Sequence, residues 1–340
     1  MTTPTQRRIV VSRRGPPDVL EVVEEPLPVP GPGEIRVKTL AAGVSAFDVM
    51  LRSVSFPGFP RPPFTLGVDV VGVVDARGAG VSAPEVGQTV AALLDGGSYA
   101  EYVCLPADRA VPVPEGLDPA VAVCVVANYL TAYLMMHQSA HVESGESALV
   151  HGAAGGTGTA LLDLGRLAGL EMYGTASSHN HDVVLSYGAT PIDYRAEDFV
   201  ARIRELTGDG VDVVFDQIGG SRQVRRSYRA LRKGGRLIWF GVTATKSRGR
   251  WVIPGSLLMR TAVSLLPDGK SAPLTSTASP ENIESYSETL TQLLDWLADG
   301  RLTPLVHERV PLLEAARAHE ILEQGKYAGK VVLVSEAATS

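Results

Sequence analysis

Cysteine is nearly absent from this chain: two thiols, Cys104 and Cys124, in 340 residues. Two thiols cannot build a disulfide framework or a four-thiolate zinc lobe. Both sit in apolar runs, Tyr102-Val103-Cys104-Leu105 and Ala122-Val123-Cys124-Val125-Val126, and read as buried structural thiols. Positive charge is also not in excess, with 31 Lys and Arg against 37 Asp and Glu and a formal charge of −6. That balance gives no electrostatic footing for nucleic acid or an anionic membrane. One basic cluster, Arg222, Arg225, Arg226, Arg229, Arg232 and Lys233, reads as the solvated side and end of a helix. By this reading no apolar run approaches the ~20 residues that span a bilayer. After Arg7 and Arg8 only Ile9, Val10 and Val11 follow, too short for a signal-peptide core. The expectation is a cytoplasmic protein without nucleic-acid or membrane partners.

What is present is ordinary globular composition, 45% hydrophobic and 20% charged, enough for about two domains of ~150 residues. Up to about residue 125, short Val-rich runs such as Ile35 to Leu40, Val68 to Val74 and Thr89 to Leu94 alternate with turn signals. Among these are Pro30-Gly31-Pro32-Gly33 and Asp95-Gly96-Gly97, and the spacing predicts a mostly antiparallel β region. Asn128 to Gln138 read as a bridging helix. From Ser147 the period changes: strand-like runs at 148–152, 171–176, 190–193, 211–216 and 235–241 alternate with helical stretches at 157–168, 180–187, 196–206 and 221–232. Strict β–α alternation implies a doubly wound parallel sheet. Leu266 to Pro280 read as a loop, either solvent-exposed or at a dimer edge. A helix from Ile283 to Ala298 and a β–α–β unit close the chain, with Leu305 to Val310, Leu312 to Gln324 and Lys330 to Val334 as its parts.

The run Val150-His151-Gly152-Ala153-Ala154-Gly155-Gly156-Thr157-Gly158 stands between one such strand and one such helix. Glycines there let the backbone turn tightly and approach a pyrophosphate, whose charge the helix start stabilises. A Gly-rich hairpin would look similar in isolation; the alternating units downstream favour the nucleotide reading.

Further motifs carry a family resemblance: Ala42-Gly43-Val44-Ser45-Ala46-Phe47-Asp48, Leu66-Gly67-Val68-Asp69-Val70-Val71-Gly72, Gly97-Ser98-Tyr99-Ala100-Glu101-Tyr102, Leu130-Thr131-Ala132-Tyr133, the turn at 152–158, and Gly329-Lys330-Val331-Val332-Leu333. In this order they resemble the medium-chain dehydrogenase/reductase superfamily, and within it the zinc-free quinone oxidoreductase branch that includes zeta-crystallin. The resemblance implies an α/β protein: a GroES-like β-rich catalytic domain from 1–127 and 268–340, around a Rossmann NADPH-binding domain from 128–267. It also implies an active site in the cleft between them and a homodimer, paired through an edge strand of the nucleotide domain at Ala262 to Leu266.

The zinc enzymes of the superfamily need Cys where Ser45 stands and His-Glu where Val68-Asp69 stands; Ser and Val cannot supply such ligands, so no metal is expected. For the cofactor, an acidic residue about 20 residues past the glycines would bind ribose hydroxyls. Here the strand Glu171 to Ala176 ends without a carboxylate, and Ser177 and Ser178 can donate to a 2′-phosphate. His181 falls near a family Lys that binds that phosphate, which would make affinity pH-dependent; the Asp182 carboxylate nearby would oppose it. Tyr194, in Asp193-Tyr194-Arg195, resembles a residue packed beside the adenosine phosphate. These features favour NADPH over NADH. Ala153, Gly155, Gly156 and Thr157 would hold the pyrophosphate. Gln217, Phe240 and Val242 follow the fourth and fifth strands, whose loops hold the nicotinamide in the family. Lys330 completes the cofactor-binding set.

Catalytic candidates are Ser45, Asp48 and Thr131. Asp48 matches the family's cleft Asp, either relaying a proton or serving as a structural carboxylate bonded to amides. Met50 replaces a frequent Tyr and cannot donate a proton. Phe47, Met50, Leu51, Phe56, Phe59 and Phe64 either pack as core or wall an apolar pocket. The activity implied is zinc-independent hydride transfer from NADPH to a quinone or an α,β-unsaturated carbonyl. The alternatives are a dedicated tailoring reductase in natural-product biosynthesis and a non-catalytic NADPH-binding protein.

Overall fold

A computed structural model describes residues 4–56, 58–241, 252–273 and 283–336. The chain divides into two compact units, Met1–Leu130 with Pro280–Ser340, and Thr131–Ser279.

The first unit is built on antiparallel strands: β1 (Thr5–Val11), β2 (Leu20–Pro26), β3 (Glu34–Val44), β4 (Asp69–Arg77), β5 (Thr89–Leu93), β6 (Tyr102–Pro106) and β7 (Val111–Pro112). The last part of the chain returns to this unit. It adds strands at Val306–Pro311 and Lys330–Val334, with the helix Ala315–Gln324 between them, and Lys330–Val334 pairs with β3. Those two strands pair in parallel, as a β–α–β crossover requires. Alternating Val and Ile on β3 and β4 supply a core with Ile35, Val37, Val70 and Val74 all buried. The α-helix Ala46–Ser53 follows β3 directly.

The second unit holds a parallel sheet of five strands: β8 (Ser147–His151), β9 (Glu171–Ala176), β10 (Thr190–Asp193), β11 (Val211–Asp216) and β12 (Leu231–Trp239). Their spatial order is β10-β9-β8-β11-β12. The chain steps outward from β8 to β10 and then returns to the other side of β8. That reversal is the topological switch point beside which ligands bind in such sheets. Helices Gly156–Leu167, His181–Ser186, Phe199–Thr207 and Ser221–Ala230 make the crossovers. All six residues of β11 are buried, so its apolar run reads as a central strand. On Ser221–Ala230, Val224, Ser227 and Tyr228 face inward, and Arg222, Arg225 and Arg229 are exposed, the solvated side expected.

Two expectations are corrected. The bridging helix does not begin at Asn128: one helix runs from Pro119 to Ser139, with an 18-residue window of mean hydropathy 1.6. This is long and apolar enough to cross a bilayer, contrary to the reading that no such run exists. Two thirds of that window is buried inside the protein, however, which is the signature of a core helix. Asp118 starts it by accepting from the Ala120 amide at 2.9 Å, with Pro119 in the first turn. A helix apolar all round shows no amphipathic period, and its first half is therefore invisible to a periodicity argument. The second correction concerns Ala262 to Leu266, expected as an edge strand for dimerisation. Residues Val252–Ser264 form a helix. The strand-like contact at this edge comes instead from Ser271, inside the expected loop. Its amide donates to Gly235 O at 3.0 Å, and its carbonyl accepts from the Leu237 amide at 2.9 Å.

Candidate active site

In the second unit the chain turns at Gly152, whose φ of +67° a β-carbon would disfavour. At Gly158 a β-carbon would lie 2.3 Å from Gly152 O and 2.7 Å from Ala153 O. Only glycine lets the helix Gly156–Leu167 start this close to the strand end. Its N-cap is Gly155, which has no side chain to accept from the first-turn amides. The capping role is thus left to whatever anion approaches, and a phosphate fits it. Ala153 is fully buried beneath the turn, and Gly155, Gly156 and Thr157 are partly exposed at its rim.

At the end of β9, Ser177 is buried with its Oγ 3.3 Å from His179 Nε2, and Ser178 is exposed. His181 begins the next helix, half-buried, with no hydrogen-bond partner at Nε2. Tyr194 is 51% exposed after β10. Gln217 Nε2 donates to Gly152 O at 3.2 Å, tying the loop after β11 to the glycine turn. Phe240 is half-buried, and its amide donates to Asp216 O at 3.0 Å. Val242 lies outside the described residues. The structure thus collects Ala153, Gly155, Gly156, Thr157, Ser177, Ser178 and Gln217 at the carboxyl ends of neighbouring strands.

In the first unit, Ser45 caps the helix Ala46–Ser53 in a capping box. Ser45 donates its amide at 2.9 Å and its hydroxyl at 2.5 Å to Asp48 Oδ2, and the Asp48 amide donates to Ser45 Oγ at 3.2 Å. The Gly67 amide donates to Asp48 Oδ1 at 3.0 Å. Asp48 is fully buried. Burial pushes its pKa up to about 6, with the Asp69 carboxylate adding to the rise and the donors from Ser45 and Gly67 opposing it. Thr131, half-buried, belongs to the second unit and is not part of this cluster.

Lys330, expected at the cofactor, is buried in the first unit. Its Nζ lies 2.8 Å from Asp69 Oδ2 and 2.5 Å from Asn128 Oδ1. The other Asp69 oxygen accepts from the Gly43 amide at 3.0 Å. A β-carbon at Gly43 would sit 2.1 Å from Lys330 Cε and 2.5 Å from both Nζ and Asp69 Oδ2. The glycine in Ala42-Gly43-Val44 exists to make room for this ion pair. Local pattern could not reveal it, because its members are far apart in sequence. Cys124 lies close by, and burial pushes its thiol up to about 12, an inert structural thiol. Burial also raises the half-buried Cys104 thiol. Phe47 meets Phe59 edge-on at 6.1 Å, and Phe56 meets Phe59 at 5.5 Å. Phe47 is 45% exposed, and Phe59 and Phe64 pack on the core.

Comparison with known proteins bears on this arrangement. A family model described as an alcohol dehydrogenase GroES-like domain matches residues 31–115, and one described as a zinc-binding dehydrogenase matches residues 187–333. Quinone oxidoreductase of Pongo abelii is 32% identical, over 96% of this chain and 97% of its own length. The chain belongs to the quinone oxidoreductase branch of the medium-chain dehydrogenase/reductase superfamily. The synaptic vesicle membrane protein VAT-1 homolog of Rattus norvegicus is 31% identical, over 97% of the chain and 84% of its own length. Among solved structures, Escherichia coli quinone oxidoreductase complexed with NADPH superposes with a TM-score of 0.86 at 28% identity, covering 97% of this chain and all of that one. The GroES-like and Rossmann architecture and the oxidoreductase class expected from the motifs therefore stand. One matched model is named for zinc. Among the described residues no group of three or more His, Cys, Asp and Glu is placed to hold a metal ion.

Proposed function

We propose that this chain reduces an electron-poor carbonyl compound, a quinone or an α,β-unsaturated ketone, using NADPH and no metal. The glycine turn carries the reading: its helix start has no side-chain cap, and the neighbouring strand ends in Ser177 and Ser178 rather than a carboxylate. Backbone amides of Ala153, Gly155, Gly156 and Thr157 take the pyrophosphate. Ser177, Ser178 and His181 receive the 2′-phosphate, with Tyr194 beside the adenosine. Gln217 and Phe240 border the nicotinamide. Lys330 is committed to Asp69 and Asn128 and holds the first unit together rather than binding cofactor. The bound dinucleotide supplies the hydride.

The Ser45 hydroxyl donates its one hydrogen bond to Asp48, so near neutral pH Ser45 can accept a hydrogen bond but not donate one to a carbonyl. An acceptor that needs little polarisation suits that site, as quinones and enones do. Phe47, Phe56 and Phe59 offer it an apolar wall. Leu257, Leu258, Leu265 and Leu266 are exposed, apolar surface that a second copy would cover in a homodimer.

The test is oxidation of NADPH with a panel of small quinones and a panel of enones. Turnover with either supports the proposal. Tight NADPH binding without turnover on both panels would instead favour a binding protein, the reading that the committed Ser45 proton and the Met50 thioether support.

A further inference from the structure

His151, the last residue of β8, is 2% exposed beneath the glycine turn, with the Phe199 ring edge-on at 4.6 Å. Its Nδ1 lies 3.0 Å from Thr175 Oγ1 and its Nε2 3.1 Å from Ser227 Oγ. Ser227 Oγ in turn lies 2.7 Å from Asp216 Oδ2. The Gly152 amide donates to Thr175 Oγ1 at 3.3 Å. At the far end, Asp216 Oδ1 accepts from the amides of Ile218 at 2.8 Å and Gly219 at 3.2 Å.

The chemistry of the groups fixes the direction of every proton. A carboxylate only accepts, so the Ser227 hydroxyl must donate to Asp216. Ser227 Oγ then accepts from His151, which places the ring proton on Nε2. The bare Nδ1 accepts from the Thr175 hydroxyl, whose oxygen accepts from Gly152. One unbroken series thus runs from the amide of Gly152 to the carboxylate of Asp216 with every member satisfied. Such aligned series strengthen one another in a low-dielectric interior. Burial holds the His151 pKa below its usual value, against the pull of Asp216 and with the help of Arg226. A charged ring would turn a second N–H onto Thr175 Oγ1 and displace that hydroxyl proton.

We propose that His151 is a positioning residue, which as the Nε2–H tautomer locks the glycine turn after β8 to the loop 216–220 after β11. The lock sets the spacing of the two segments that hold the pyrophosphate and the nicotinamide. This role rests on the NADPH reading above, whereas the tautomer does not.

The experiment has two arms on the full chain. Thr175→Val keeps the shape and removes the hydroxyl, and it weakens NADPH binding about tenfold, the usual scale for a buried donor left unpaired. Thr175→Ser, which keeps the hydroxyl, restores affinity. In the second arm, nitrogen-resolved imidazole NMR shows His151 neutral and protonated at Nε2 in the wild-type protein. An Nδ1-protonated ring overturns the proposal whatever the affinities. Equal NADPH affinity of Thr175→Val and wild type, or equal losses in Thr175→Val and Thr175→Ser, also overturns it. A wild-type protein that binds no NADPH defeats the cofactor reading and the positioning role together, while the tautomer measurement still judges the hydrogen-bond series separately.

Discussion

The Asp69–Lys330 pair makes a quantitative prediction. The two charges lie 2.8 Å apart with side chains 1% and 3% exposed. At an effective dielectric constant of about 20 their attraction is about 6 kcal/mol. Desolvation offsets part of that, so the intact pair adds less than this figure to stability. Removing one partner is different, because the other charge stays buried. Lys330→Met leaves Asp69 with the Gly43 amide and removes the Lys330 hydrogen bond to Asn128 Oδ1. The expected loss is about 3–5 kcal/mol. Asp69→Asn should lose a comparable amount. The double variant should lose about as much as either single variant alone, giving a coupling energy of about 3–5 kcal/mol. Gly43→Ala should resemble a single variant, since its methyl group forces the pair apart. Denaturant unfolding followed by circular dichroism and tryptophan fluorescence reads all four, with the two units allowed separate transitions. Single losses under about 1 kcal/mol that add in the double variant would refute the reasoning.

Other consequences concern both units. Asp48, with a native pKa of about 6 against 3.8 in the unfolded chain, keeps its proton on folding where the unfolded state has lost it. Its contribution to stability therefore falls as pH rises from about 4 to 6, by about 3 kcal/mol in all. Asp48→Asn lacks this decline, so its stability relative to wild type should improve from pH 4 to pH 7 in thermal scans; a pH-independent difference would contradict the shift. Gly158→Ala crowds Gly152 O and Ala153 O and should cost about 1–3 kcal/mol together with NADPH affinity, measured by calorimetry. His181→Asp should weaken NADPH about tenfold or more relative to NADH through like-charge repulsion; equal losses for both would remove His181 from the phosphate site. A chelator should leave turnover unchanged, and a loss would overturn the metal-free proposal.

Much of this was legible in the sequence where a local period or a fixed motif carried it. The β–α alternation from Ser147 placed all five parallel strands, and Gly152 to Gly158 marked the turn, because both signals lie within a few residues. What escaped lacked such a signal. The helix Pro119–Ser139 is apolar on every side and offered no face to count. The stretch Ala262 to Leu266 is apolar and short, and nothing local separates the end of a helix from an edge strand there. The partners of Lys330, Asp48 and His151 come from distant positions, and only the folded sheets bring Asp69, Gly67 and Ser227 to them. The family resemblance did place Ser45 and Asp48 together as catalytic candidates. It could not say that the Ser45 hydroxyl spends its one hydrogen-bond donation on Asp48.

The most direct measurement is titration calorimetry of the wild-type protein with NADPH and then NADH. The account predicts saturable one-site binding of NADPH, tighter than that of NADH. Absence of heat from either dinucleotide at millimolar concentration, or a clear preference for NADH, would contradict it.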